Sequence, residues 1–530
     1  MRFAFALACA CSIGHAMAIA PQIIHDLAFG EGDARDNAIA ALVASGDPRA
    51  LPLLDAWRNG AVRTQGTDRV LLVNGDSAID AFTGAAVVSV PSDLDEVMLN
   101  NRLRRALDGG INSLELQSSD RTTRLTAAKA LAADADSTAL PAIKAALAKE
   151  RDPEIRESLT LTSASIELAS GDRDSRVDAI RTLADSDQAT TRTLLQAVLA
   201  RKGGQFVEAD ESVRAEAEKS LRAVDSRLAR GDLAARIFTG ISLGSILLLA
   251  ALGLAITYGL MGVINMAHGE LIMIGAYATY AVQVLFRRYA PEAFDLYLVF
   301  ALPVAFAVSG LVGMALERTV IRHLYGRPLE TLLATWGLSL ILIQTVRTLF
   351  GAQNVQVENP TWMAGGVELM TGVVLPLSRI AIAIFAAAVL AAVWLLLTRT
   401  RLGLFVRSVT QNRAMAGALG VHTARVDMLT FGLGSGLAGL AGCALSQIGN
   451  VGPDLGQSYI VDSFMVVVLG GVGQLAGTVS AALGLGIVDK FLEAWSGAVL
   501  AKIAVLAFII VFIQKRPQGL FAFKGRAVEA

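Results

Sequence analysis

Asn265, His268 and Glu270 fall in the segment GVINMAHGE, Gly262 to Glu270, which joins two long apolar runs. An amide, an imidazole and a carboxyl are costly to bury at membrane depth, where such groups usually face a cavity or a partner. A helix that breaks there also exposes unpaired backbone N–H and C=O groups, as around Gly269, which can bind or pass a polar solute. The hydroxyls of Thr257 and Tyr258 lie a short way upstream. Asn265, the backbone around Gly269 and these hydroxyls could supply donors and acceptors to a polar solute. The other reading is a cytoplasmic turn, with Glu270 near a helix start where the macrodipole favours an acid. Gln344, Asp462 and Lys502 also interrupt apolar runs, each able to pair with a neighbouring helix or to snorkel to a surface.

A second group of residues lies in the loop from Arg399 to Asp427, RTRLGLFVRSVTQNRAMAGALGVHTARVD. The spacing predicts a short amphipathic helix from about Gln411 to Leu419, with Ala414, Met415, Ala418 and Leu419 on one face and Gly420 ending it. A short helix set among charges is suited to docking in a groove of a partner. The alternative is a loop helix lying on the bilayer.

Other patterns exclude chemistry. Gly434 to Gly439 matches G-x-G-x-x-G, but it lies within the apolar run FGLGSGLAGLAG and not after a strand, so it reads as close helix packing, as does the pair Gly432 and Gly436. Gly470, Gly471, Gly473 and Gly477 read the same way. No G-x-x-x-x-G-K-[ST] occurs, so the chain lacks a phosphate-cradling loop. His15, His25, His268, His323 and His422 are scattered, and Cys9, Cys11 and Cys443 have no metal-ligand spacing, so no metal is expected.

These residues need elements to hold them, and charge shows where those elements lie. Of the 46 Lys and Arg and 47 Asp and Glu, only 19 and 14 fall in residues 231–530. That C-terminal part is too poor in charge for a water-exposed surface, whereas the first 230 residues have an ordinary soluble composition. The expected organisation is therefore a soluble domain, 19–230, then a membrane domain, 231–515, and a short cytoplasmic tail, 516–530. A net charge of −1 excludes a strongly basic nucleic-acid binder.

Apolar runs predict spans near 237–260, 269–286, 294–316, 329–350, 373–397, 428–448, 458–475, 476–492 and 496–514. Basic clusters stand at Arg318, Arg322 and Arg327, at Arg399 to Arg425, and at Lys515 to Arg526. The positive-inside rule places all three in the cytoplasm. Residues 1–18, with Arg2, an apolar run and small residues at Ala16 and Ala18, read as a secretory signal peptide, or else as an uncleaved anchor. A signal peptide puts residue 230 outside and requires an odd number of crossings. Nine fits if 458–492 crosses twice, and seven fits if that stretch is re-entrant.

In the soluble part, RDNAIAAL (Arg35 to Leu42), RLTAAKAL (Arg124 to Leu131), RVDAIRTL (Arg176 to Leu183) and RAEAEKSL (Arg214 to Leu221) share one frame. The first three precede a break and a second apolar helix, the unit of an α-solenoid. This resembles degenerate HEAT-type repeats, with an irregular helical bundle as the alternative. Val70 to Asp76 and Ala85 to Val90 are β-rich and predict a small inserted hairpin with an Asn-Gly turn. The fold class expected is all-α, a polytopic helical membrane domain behind an exported helical-repeat domain carrying that β insertion.

GLAITYGLMGVINMAHGELIMIGAY (Gly253 to Tyr277), RLGLFVRSVTQNRAMAGALGV (Arg401 to Val421) and VVVLGGVGQLAGTVSAALGLG (Val466 to Gly486) resemble the permease family of branched-chain amino acid ABC importers. The exported extension is similar to that of the urea-transporting branch. The resemblance implies one of two non-identical permeases in a bacterial inner membrane, set in lipid, served by cytoplasmic ATP-binding subunits and an extracytoplasmic solute-binding protein. It implies no cofactor on this chain, with ATP held by the partner, and no nucleic acid. It maps a polar transmembrane motif onto Asn265, His268, Gly269 and Glu270, and an ATPase-docking loop onto Gln411, Asn412, Ala414, Gly417, Leu419 and Gly420, with Arg413 and Met415 between. The expected function is a transport subunit, not an enzyme, for urea or a similar short amide. The alternatives are a branched-chain amino acid permease, or a non-transporting scaffold or sensor.

Overall fold

The computed structural model describes residues 19–521 except 67–68, 75–76, 88–90, 92, 135, 187 and 371–372. The proposed signal peptide and most of the tail lie outside the described residues. The chain divides into two compact units between Leu228 and Ala229.

The first unit opens with α1 (Pro21–Phe29), α2 (Asp33–Ala44) and α3 (Ala50–Arg58), then strands β1 (Val62–Gln65), β2 (Arg69–Asn74), β3 (Ser77–Asp80), β4 (Ala86–Val87) and β5 (Asp95–Glu96). The strands form one antiparallel sheet of order β4-β3-β2-β1-β5. This corrects the expected hairpin. β2 pairs with β3, Asn74 opposite Ser77, while 86–87 pairs with β3 and not with β2. β3 is four residues long with polar ends, too short for a clear alternation. Its return to β4 is made by Asp80, whose carboxylate accepts from the Phe82 and Thr83 N–H groups, and by Gly84 at φ +72°.

Helices α4 (Asn101–Glu115), α5 (Arg121–Asp134), α6 (Leu140–Leu147), α7 (Pro153–Ser170), α8 (Arg173–Ala184) and α9 (Ala189–Val198) follow. The start of α7 is written in its sequence: Asp152 accepts from the Glu154 and Ile155 N–H groups, and Pro153 occupies the first turn. Helices α2 and α3, α5 and α6, and α8 and α9 follow one another in the predicted order, but α2 and α3 both pack on α4, and α5 and α6 both on α7. Their leading arginines share one task. Arg35 donates to the Ala28 carbonyl, Arg124 to those of Ser118 and Ser119, Arg176 to Gly171, and Arg214 to Glu208 and Ala209. Each therefore satisfies carbonyls of the segment before its own helix. Leu42, Leu131 and Leu183, seven residues on, are buried. The all-α expectation is further corrected by a second hairpin, β6 (Arg201–Lys202) with β7 (Gln205–Phe206).

Helix α10 (Glu211–Met261) contains the division, and its apolar part belongs to the second unit. There follow α11 (His268–Tyr289), α12 (Tyr297–Thr319), α13 (Pro328–Phe350), a hairpin of β8 (Gly366–Met370) and β9 (Val373–Pro376), α14 (Leu377–Arg399), α15 (Arg401–Gln411), α16 (Arg413–Ala418), α17 (Thr423–Ser446), α18 (Leu455–Gly470), α19 (Leu475–Ser496) and α20 (Ala498–Lys515). The fifth predicted span thus starts at 377, because 373–376 is strand.

Eight of these helices are long and apolar enough to cross a membrane. The ninth, α18, has 16 residues, about 24 Å at 1.5 Å per residue, short of a hydrocarbon core of about 30 Å. It ends at 470, not 475, because residues 471–474 form the turn into α19. Contacts show the nine alternating between two ends. At one end Tyr297 donates to the Glu358 carbonyl, Arg347 pairs with Asp454, and Val355 bridges Val451. At the other end Val263, Ile321 and Phe431 pack together with Met261 and Tyr325. Gly259 there approaches Gly473, and Gly471 lies against Phe521. The 455–496 stretch is thus two helices of opposite direction, the first of them the short α18.

Glycines set the spacing of the central helices. A Cβ on Gly442 would stand 1.9 Å from the Ile272 carbonyl oxygen, and one on Gly434 2.8 Å from that of Gly253. Gly436 lies against Phe306, and Gly439 against Ala305 and Ser309. The G-x-G-x-x-G pattern is therefore a packing surface of α17.

Candidate functional site

The break between α10 and α11 lies inside the bundle. Gly262, at φ +67°, ends α10, and its N–H bonds to the Tyr258 carbonyl at 3.0 Å. The chain then doubles back. His268 comes to rest beside the middle of α10's apolar part, with Nε2 3.0 Å from the Ala250 carbonyl. A carbonyl only accepts, so Nε2 carries the hydrogen. Met266 N–H donates to Thr335 Oγ1 at 3.1 Å, and Ser339 Oγ donates to Glu270 Oε1 at 2.8 Å. Thr335 and Ser339 stand seven and eleven residues into α13, about 10 and 16 Å from its start. That depth decides between the two readings of GVINMAHGE in favour of an interior break.

Asn265, His268 and Glu270 are all at most 1% exposed. Asn265 Oδ1 accepts from the Ala267 N–H at 3.1 Å. What distinguishes the site is what remains: Asn265 Nδ2, His268 Nδ1 and Glu270 Oε2 are buried without a hydrogen-bond partner, as is the Tyr277 hydroxyl. Buried polar groups are normally satisfied, so orphans grouped on one turn mark a place that a polar solute or water can serve.

The other predicted pathway residues are placed differently. The Thr257 hydroxyl is spent on its own helix, donating to Gly253 and Leu254 carbonyls. Tyr258 is half-buried with its ring 5.9 Å from that of Phe464. Gly269 backs onto Gly456, where a Cβ would meet a carbonyl at 2.5 Å, so it serves packing. Sequence reasoning missed Thr335, Ser339 and Tyr277. A signal existed: Thr331, Thr335 and Ser339 recur every four residues in an apolar helix, and all three are buried.

In the loop, the single predicted helix from 411 to 419 is corrected to two. Asn412 is extended, at φ −151° and ψ 101°, which separates α15 from α16, and its side chain caps α16 by accepting from Met415 N–H at 2.9 Å. Gln411 ends α15. In α16 only Ala416 is buried, while Ala414, Gly417 and Ala418 are exposed. Met415 and Leu419 are exposed at 58% and 78%. Gly420, at φ +86°, closes the segment as expected. Arg413 Nη2 donates to Asp427 Oδ2 at 2.5 Å, and its guanidinium stands 5.1 Å from the Tyr325 ring centre. Lys502, left open above, pairs with Asp462 at 3.1 Å.

Residues 236–514 match the family model described as branched-chain amino acid transport system / permease component. The high-affinity branched-chain amino acid transport system permease protein BraD of Pseudomonas aeruginosa is 28% identical over 291 residues, 54% of this chain and 94% of its own length. The corresponding protein LivH of Escherichia coli is 28% identical over 290 residues, again 54% and 94%. A probable LivH of Methanocaldococcus jannaschii is 24% identical over 293 residues, 52% and 88%. No solved structure matches.

Proposed function

Since the chain belongs to the family of branched-chain amino acid transport system permease components, as a transport subunit and not an enzyme, we propose that it forms part of the solute path of an ATP-driven importer. The observation that carries this is the buried break at Asn265 to Glu270, whose orphaned amide, imidazole and carboxyl atoms sit within the matched region. The substrate class best supported is a branched-chain amino acid, on the strength of the relatives named above. Urea or a similar short amide is the second reading. It is favoured by the helical unit that precedes the matched residues, and by the buried amide of Asn265 at the break.

ATP hydrolysis belongs to cytoplasmic ATP-binding partners, because this chain has no phosphate-cradling loop. They dock on Asn412 to Gly420, where Met415 and Leu419 offer exposed apolar side chains. A second homologous permease completes the path, and an extracytoplasmic binding protein delivers the solute. The basic clusters gather at the bundle end that carries this loop, which supports a cytoplasmic placement. Nine transits then put the start of α10's apolar part, and the unit before it, on the outer side of a bacterial inner membrane. Transport proceeds by alternating access, with ATPase closure displacing the docking loop.

The test is reconstitution in vesicles with the partner subunits, binding protein and ATP, measuring uptake of labelled leucine and labelled urea side by side. Asn265→Leu should reduce uptake to background while the complex stays assembled. Wild-type uptake by that variant removes Asn265 from the path, and uptake indifferent to ATP rejects the importer.

A further inference from the structure

The docking helix α16 is loosely seated. It has a joint at either end, extended Asn412 and left-handed Gly420, and one buried residue, Ala416. Its strongest side-chain tie to the bundle starts at its first residue. The Arg413 guanidinium, half-exposed, bonds the carboxylate of Asp427, which is 4% exposed and is the fifth residue of α17. The same guanidinium lies over the ring of Tyr325, in the loop after α12. The Tyr325 hydroxyl in turn donates to Glu317 Oε1 at 3.2 Å, near the end of α12. Burial, and then the carboxylates of Asp427 and Glu317, push the Tyr325 phenol far above its ordinary pKa, so it stays a donor.

What Asp427 holds is a stiff element. Seven residues on, about 10 Å along α17, Gly434 meets the Gly253 backbone and the Thr257 methyl. Gly253 in turn faces His268: a Cβ there would stand 2.8 Å from the imidazole Cε1. Gly432 faces Met314 of α12, and Gly439 faces Gly275 of α11. Apart from the Met314 side chain and the His268 ring, these are contacts of backbone with backbone or with a methyl group, so little flexible matter between α17 and α10 or α11 absorbs a displacement of α17. We propose that Asp427, Tyr325 and Glu317 are positioning residues which, through Arg413, clamp the docking helix to α17 and α12, so that moving α16 moves α17 as a rod and repacks the walls of the break at His268. This rests on the docking role proposed above, and it adds the path by which docking reaches the solute site.

The experiment uses the complete complex in vesicles and reads three quantities: ATPase co-purification, ATP hydrolysis, and uptake of labelled leucine and urea per ATP hydrolysed. Asp427→Asn, and independently the half-exposed Arg413→Gln, should keep the ATPase bound and hydrolysing while uptake per ATP falls at least tenfold. Tyr325→Phe should lower it severalfold. Arg413→Lys, which retains a charge for Asp427, should keep a third or more of the wild-type ratio. Unchanged uptake per ATP in Asp427→Asn and Arg413→Gln overturns the clamp, as does an Arg413→Lys variant no better coupled than Arg413→Gln. Loss of the ATPase from Asp427→Asn and Arg413→Gln alike also overturns it, since the pair would then only shape the docking surface. Met415→Asp tests the docking role separately: it should release the ATPase, and a variant that retains it at wild-type level removes the premise.

Discussion

The Ser339 hydroxyl donates to one carboxylate oxygen of Glu270 at 2.8 Å, and the other oxygen of Glu270 is buried with no partner. One side of the carboxyl is therefore held by α13 while the other faces its neighbours on the break. Glu270→Leu leaves the Ser339 hydroxyl unsatisfied, a cost of about 1–3 kcal/mol, and removes an acceptor from the proposed solute path. Uptake should fall at least tenfold, with a lower melting temperature in detergent. Glu270→Gln keeps an acceptor for Ser339 and should melt close to wild type, so uptake by Gln against Leu separates the polar contact from the fold.

Gly442 and Gly484 make a matched pair in stability. A Cβ on Gly442 meets the Ile272 carbonyl oxygen at 1.9 Å, whereas one on Gly484 meets nothing within 4 Å. Gly442→Ala should destabilise the bundle by about 1–3 kcal/mol or more through overpacking. Gly484→Ala should be neutral or slightly stabilising, since alanine is the better helix former. Thermal unfolding of the purified protein in detergent compares them.

Acid should loosen the first unit. The Arg124 guanidinium holds the Glu150 carboxyl below its usual pKa, and Arg121 does the same for Asp152. A carboxyl depressed on folding contributes stability that is fully present above its unfolded pKa and is lost as pH falls through the folded one. Hydrogen exchange of α5 to α7 in the full-length protein should therefore speed up as pH drops from about 5 to about 3, beyond the intrinsic pH effect on exchange. Equal protection at both ends of that range would refute the assignment.

The arginines of the repeated frame should act alike on the carbonyls before their helices, with Arg176 also pairing with Glu208. Arg35→Ala and Arg176→Ala each strip a donor from a carbonyl upstream, of Ala28 and Gly171. Each should cost about 1 kcal/mol, seen as faster exchange confined to the helix ends concerned. Leu131→Ala, in the core of the segment led by Arg124, should cost about 2–5 kcal/mol and act beyond its own helix.

Asn412→Ala removes the cap of α16 and should destabilise that turn by about 1 kcal/mol. Because the helix has six residues and one buried side chain, this should be enough to weaken ATPase co-purification severalfold, and Asn412→Asp, which can still cap, should retain most of it.

Much of this protein is legible in one dimension. The poverty of charge after residue 230, the apolar runs and the two-turn spacing of Arg35 to Leu42 and its three counterparts all follow from local composition and period, so the helices they predict are present. Gly262 and Gly420 likewise announce their turns, because φ values of +67° and +86° favour a residue without a Cβ. Tertiary structure alone decided the rest. Whether GVINMAHGE is a surface turn or an interior break depends on what lies opposite it, and that is Thr335 and Ser339, 69 residues away. The short strand β3 exists because β2 and β4 flank it. Arg413 is one basic residue among many until folding brings Asp427 and Tyr325 to it. Periodicity records the solvent each residue meets, but burial of a polar atom is made affordable by a partner, and partners far apart in the chain are chosen only when the helices pack.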